Sequence, residues 1–232
     1  MAGALLGDFL GKIEGVSQPI AQASEPRWPV SVALLAIGGL YWAMPSALTV
    51  GPDWLVLALV LAFSLPAIIL HRTRRWFLGQ MFGYAVSGVV TIALIVSLGL
   101  LVSRLPSHKE TPAQLLVAAS ALWVSNLLVF ACWYWRLDAG GPNQRDLRRS
   151  HTDGAFLFPQ MLLDPELKRE MEEDQWRPGF VDYLFLAFNT STAFSPTDVP
   201  VLSRWAKGLM MIQSTISLTT VAILAARAIN IL

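Results

Sequence analysis

Five apolar runs divide this chain: Trp28–Thr49, Trp54–Leu70, Met81–Val102, Ala113–Trp135 and Trp205–Ala226. Each is close to the roughly 20 residues a helix needs to cross a hydrocarbon core about 30 Å thick. A chain built this way must satisfy every backbone polar group internally, so helices crossing a bilayer are the fold it permits. Composition agrees. Of 232 residues, 54% are hydrophobic and 14% charged, and mean hydropathy is +0.52. An all-α integral membrane protein is expected, with five full transmembrane helices, one short re-entrant pore-type helix and an N-terminal amphipathic helix.

The short helix is the informative exception. Phe180–Thr192 is apolar and aromatic but only 13 residues long, about 20 Å as a helix. It gives way to hydroxyls and a proline, Ser195-Pro196-Thr197, and then to Asp198. A half-length helix, a stretch of polar backbone and a full-length apolar helix are the outline of a pore loop. Such backbone is tolerated at membrane depth only when protein or a watery cavity surrounds it.

The other features place these runs. Leu5, Leu6, Phe9, Leu10, Ile13 and Val16 recur at helical spacing, so residues 3–17 are expected to form an amphipathic helix in the interface plane. Asp8, Lys12 and Glu14 break that run, and no basic region precedes it, so it is not read as a signal peptide. Gly51-Pro52-Asp53 marks a turn, and Pro66 lies inside the second span. The loop His71–Arg75 carries the densest positive charge, which makes it cytoplasmic by the positive-inside rule. Gly83, Ser87 and Gly88 offer a close helix approach in the third span. In the fourth, Asn126 is expected to hydrogen-bond across helices, and Phe130–Trp135 forms an aromatic belt. Residues 136–178 are the long hydrophilic segment, basic first and acidic later, with a helix expected over Pro165–Trp176 and Asp164 as its N-cap. Phe156–Gln160 is expected to be a membrane-dipping turn that packs this loop onto the bundle. In the last span Gln213, Ser217 and Thr220 share a face, with Arg227 following on roughly the same side. A polar stripe of this kind marks a helix–helix contact or a water-filled path.

Several classes are excluded. A net charge of +1 makes no case for nucleic acid. The single Cys132 allows neither an intrachain disulfide nor a cysteine cluster, and its apolar setting reads as buried and inert. No nucleophile–base pair, phosphate loop or HExxH word occurs, and His71, His108 and His151 stand in separate loops. His151 and Asp153 have no metal-ligand spacing with another donor. The chain is therefore not expected to be an enzyme, nor to hold a cofactor or metal.

Taken together, Ala113–Leu232 resembles the pore module of tetrameric cation channels. The order matches: outer helix 113–135, polar loop 136–178, half-helix 180–192, filter-like loop 193–199 and inner helix 205–226, all within 112–232, preceded by a three-helix region 28–111 and the segment 1–27. That resemblance implies a homo-oligomer, most simply a tetramer, with Trp205–Ala226 nearest the axis, passing a small cation. Thr190, Ser191, Thr192, Ala193, Phe194, Ser195, Pro196, Thr197 and Asp198 would form the pathway. Potassium channels carry T-V-G-Y-G-D at this point; both glycines are missing here and Pro196 fixes its own φ, so a potassium-type carbonyl filter is not expected. The structural alternative gives Asp198 the task of capping the last helix and the hydroxyls that of satisfying the broken backbone.

The chain also resembles an uncharacterised family of bacterial inner-membrane proteins with actinobacterial members. The words that carry this are W-Y-W-x-L-D-x-G-G-P (Trp133–Pro142), F-L-F-P-Q (Phe156–Gln160), W-x-P-x-F-x-D-Y-L (Trp176–Leu184), AFSPTD and the ending A-A-R-A-I-N-I-L. This implies a multi-pass protein of the bacterial inner membrane. Two functional readings follow: an ion-conducting oligomer, or a non-conducting scaffold that docks a protein partner through residues 136–178. Orientation is contested. Positive charge puts residues 72–75 and 136–178 inside, whereas a potassium-channel-like pore needs the opposite.

Overall fold

A computed structural model describes residues 24–73, 75–104, 111–148, 151, 153–173, 176–192 and 198–229, the side chains of residues 227–229 excepted. The expected amphipathic helix 3–17 lies outside the described residues. Among the described residues, four helices are long and apolar enough to cross a membrane, which marks a multi-pass membrane protein. The first run yields a shorter helix, α1 (Trp28–Trp42), followed by a 3-10 turn at Ser46–Leu48. The expected span to Thr49 breaks where Pro45, which has no N–H and disfavours helix in the residue before it, enters the chain. Gly51 then turns at φ +79°.

The long helices are α2 (Leu55–Arg72), α3 (Trp76–Arg104), α4 (Pro112–Leu137) and α8 (Arg204–Ile229). Pro66 sits inside α2 without ending it. Helix α3 begins five residues before the expected Met81. Its 29 residues would extend about 43 Å, so it must tilt or protrude beyond a core of about 30 Å. Helix α4 opens with a capping box, Thr111 with Gln114. It stops at Leu137 because Ala139, Gly140 and Gly141 adopt φ of 50°, 81° and 88°, left-handed backbone that no helix continues through. A five-residue helix, α5 (Pro142–Asp146), follows. Helix α6 spans only Pro165–Glu170, and Asp164 stands at its N-cap without a side-chain cap bond. The helix expected to reach Trp176 ends early. Glu170, Glu172 and Glu173 oppose the helix dipole at a C-terminus, and Glu172 turns to φ 58°. Helix α7 is Phe180–Thr192, the expected 13 residues.

Helix α4 is the centre of the bundle. It packs against α1, α3, α7 and α8, while α2 touches α1 and α3. The side-chain contacts give the running directions. Tyr183, near the start of α7, bonds Asp138 just past the end of α4, and Ser191, near the end of α7, lies beside Asn126 in mid-α4. On α8, Gln213 meets Tyr134 and Asn126, and Ser217 meets Trp123. So α7 and α8 both run antiparallel to α4 and parallel to one another. Val201, just before α8, pairs with Phe156 in an antiparallel bridge, with Leu157 N donating to Pro200 O at 3.0 Å and Leu202 N to Ala155 O at 2.8 Å. Phe156 in turn stacks edge-on against Tyr134, Tyr183 and Trp205. Phe156–Gln160 thus packs the long loop onto the bundle as expected, and α7 and α8 both begin at that end of α4.

Candidate functional site

A helix leaves its last four carbonyls without partners inside the helix. For α7 those groups sit among apolar helices, where each unsatisfied one costs several kcal/mol. Helix α8 supplies the partners. Ser214 Oγ donates to Thr190 O at 3.1 Å and Ser217 Oγ to Ser191 O at 2.7 Å. Gln213, fully buried, reaches one turn deeper: its Nε2 donates to Ala187 O at 2.7 Å and to Ser191 Oγ at 2.8 Å, and its Oε1 accepts from Tyr134 Oη. Asn126 Nδ2 donates to Gln213 O at 3.2 Å, and Trp123 Nε1 to Ser217 Oγ at 3.0 Å. Three helices are thereby joined by polar bonds in a row along one seam.

This seam is where the polar stripe of the last span belongs. Gln213, Ser217 and Thr220 are all buried, and Thr220 Oγ1 donates to Ile216 O of its own helix at 2.8 Å. The stripe is a helix–helix contact within one chain. Of the two readings of the stripe, a helix–helix contact or a water-filled path, these bonds fit the first, because Gln213 and Ser217 are spent on α4 and α7. Met211, Ile212, Leu218 and Val221, with Thr215 among them, belong to the surface that α8 leaves exposed.

The remaining candidates divide. Thr190 and Ser191 are buried, Thr190 Oγ1 donating to Leu186 O at 2.8 Å. Thr192 is exposed and donates to Phe188 O at 2.9 Å. Ala193, Phe194, Ser195, Pro196 and Thr197 lie outside the described residues, as does the side chain of Arg227. Asp198 is exposed in a bend. It does not cap α8; Ser203 does, its Oγ accepting from Ala206 N at 3.3 Å. Asn126 bonds across helices as expected, and Cys132 is fully buried.

A second polar centre was missed by sequence reasoning. Asp138 is fully buried. Its Oδ2 accepts from Tyr183 Oη at 2.6 Å and lies 2.9 Å from His151 Nε2, while its Oδ1 accepts from Ala155 N at 2.5 Å. The left-handed turn at residues 139–141 then swings Arg145 back beneath α4. Arg145 Nη1 donates to Trp135 O at 2.8 Å and Asp138 O at 2.9 Å, closing off the end of α4. Its other nitrogens hold Glu25 at 2.8 and 3.1 Å, and Trp135 Nε1 donates to the same carboxylate. Burial pushes the Glu25 carboxyl above its ordinary value, and Arg145 and Trp135 offset this only in part. The available signal was the Gly-Gly-Pro word with an aspartate before it and an arginine after. No group of three or more metal-ligating side chains occurs among the described residues.

No protein-family model matches this chain, and no curated protein or solved structure does either. The site therefore rests on its own geometry.

Proposed function

We propose that this chain is one subunit of a channel-like oligomer in a bacterial inner membrane, most simply a tetramer, that passes small cations along residues 193–198. One observation carries the reading: α7 and α8 start at the same end of α4, and α7 finishes beside Asn126, in the middle of it. The chain must come back from Thr192 to Val201 in nine steps. Those can reach about 30 Å, enough to retrace a helix of about 20 Å. On this reading α7 is re-entrant and the seam is what allows it to end inside the bilayer. Asp198 stands at the mouth, one carboxylate per subunit, where a ring attracts cations.

The same contacts bear on orientation. Arg27, His71, Asn143 and Asp146 meet at one end of the bundle, so the arginine-rich loop lies with residues 138–146 and the start of α7. Positive charge places that end in the cytoplasm, and the pore loop then opens inward.

The alternative is a non-conducting scaffold that docks a partner through residues 136–178. The mainly apolar free face of α8 favours it. Two measurements decide. Cysteines at Glu173 and Ser203 should be labelled from the same side of the membrane; labelling from opposite sides means a full crossing and ends the pore-loop reading. Reconstituted protein should carry a cation-preferring current that Asp198→Asn weakens and Asp198→Glu keeps. Silence at all voltages, with same-side labelling intact, selects the scaffold.

A further inference from the structure

A cavity of about 340 Å³ opens between α1, α2, α3 and α4 at the end of the bundle that carries the arginine-rich loop. This is toward the lower bound of the roughly 300–1,000 Å³ typical of ligand sites. Its walls are of two kinds. Leu34, Ala67 and Val86 line one part; Arg27, Arg72 and Arg136 line the other. Trp28 and Trp76, both well exposed, form its rim. That is the aromatic signature of the bilayer interface.

The charges do not balance. No aspartate or glutamate is among the lining residues. Asp146 pairs with Arg27 at 2.8 Å and so offsets one of the three, and Glu25 is held by Arg145 at 2.8 Å, which leaves Arg72 and Arg136. Arg136 has no hydrogen bond or ion pair among the described residues, and its Nε is buried without a partner. The guanidinium lies against Gly83, where a Cβ would overlap Nη1 and approach Cζ to 2.9 Å. Glycine at that position makes the space the arginine occupies. Ser64 Oγ, on the α2 wall, is likewise buried and unpartnered. Arg136 as a whole is half-buried and its Cζ lies 5.6 Å from the centroid of the Trp135 ring, a contact with the face of the guanidinium that leaves its edge for an anion, and a planar guanidinium is suited to a phosphate in a two-pronged grip.

We infer that this cavity binds an anionic phospholipid, its phosphate on Arg136 with Arg72 beside it and the start of an acyl chain along Leu34, Ala67 and Val86. The apolar wall, the aromatic rim and the position at the bilayer interface favour a lipid over a free phosphate ion.

The test uses the full chain in mild detergent, exchanged free of lipid, with bound molecules read by native mass spectrometry. Phosphatidylglycerol should be retained about tenfold more tightly than phosphatidylcholine. Arg136→Gln should remove that preference, a loss of about tenfold for one charge-assisted contact, while Arg136→Lys should keep part of it. Ala67→Phe fills the apolar wall without touching charge; it should weaken both lipids and leave their ratio unchanged. Equal retention of the two lipids by the wild type overturns the inference. So does an Arg136→Gln protein that keeps the preference. Inorganic phosphate displacing the lipid at equal concentration also overturns it, assigning the site to a free anion. Should Arg136→Gln fail to fold, the wild-type ratio and the Ala67→Phe result decide.

Discussion

Helices α2 and α4 are both apolar enough to cross a membrane, yet they live in different surroundings. In α4, 67% of the most apolar window is buried within the chain; in α2, only 11% is. Apart from His71 at its end, which meets Arg27, helix α2 meets its neighbours through apolar side chains and close approaches, the tightest at Gly38 of α1, where a Cβ would come within 2.6 Å of Leu57 Cδ1 and 3.1 Å of Leu57 Cα. Helix α4 is bonded on three sides: Trp133 to Thr91 of α3, Asn126 and Trp123 to α8, and Asp138 beyond its end to Tyr183 of α7. The difference teaches where polar groups are needed in a membrane bundle. A helix that crosses completely satisfies its own backbone, so polar side chains on it serve its neighbours. A helix that ends among others leaves carbonyls to be satisfied, and the polar side chains gather there.

Three substitutions test this contrast. The largest effect is expected at Arg145→Ala, which leaves Glu25 buried without its partner and uncaps the end of α4. Losing one member of a buried pair costs about 3–5 kcal/mol, and thermal unfolding in detergent measures it; a loss under 1 kcal/mol would mean that the buried pair does not hold this end. Gln213→Leu is intermediate. It removes bonds to Ala187, Ser191 and Tyr134 at once. At about 0.6 kcal/mol for each interhelical bond in a membrane, a loss of about 2 kcal/mol is expected, together with faster proteolysis near α7. An effect no larger than that of Leu65→Ala on the exposed face of α2 would show the seam to be incidental. Gly38→Ala is the mildest, because it tests shape alone: overpacking of about 1 kcal/mol, seen as a small fall in melting temperature and no change in the α7 region.

The seam and the cavity also differ in how far the sequence revealed them. The polar stripe was visible at positions 213, 217 and 220, because helical periodicity is local. Its direction was not. Whether a stripe faces a lumen or a neighbour depends on which helix lies opposite, and the partners Tyr134, Ala187 and Ser191 are 22 to 79 residues away. Asp138 and Arg145 were passed over because a loop with charges of both signs reads as solvated. Only the turn at residues 139–141 brings that aspartate and arginine beneath the bundle. The cavity was hidden for a related reason. Gly83 was marked as a place where helices approach, and what it admits there is the Arg136 side chain of α4.

The sequence alone determined the membrane class, the positions of the four long helices and the 13-residue length of α7. Each of these follows from local hydrophobicity, proline placement and the length needed to cross a bilayer. The tertiary structure decided the rest. It set the parallel run of α7 and α8, the inward aim of Gln213 and Ser217, the burial of Asp138 and the unpaired charge of Arg136. These depend on which backbone carbonyl or carboxylate stands within about 3 Å of a side chain, and packing brings such groups together from distant parts of the chain.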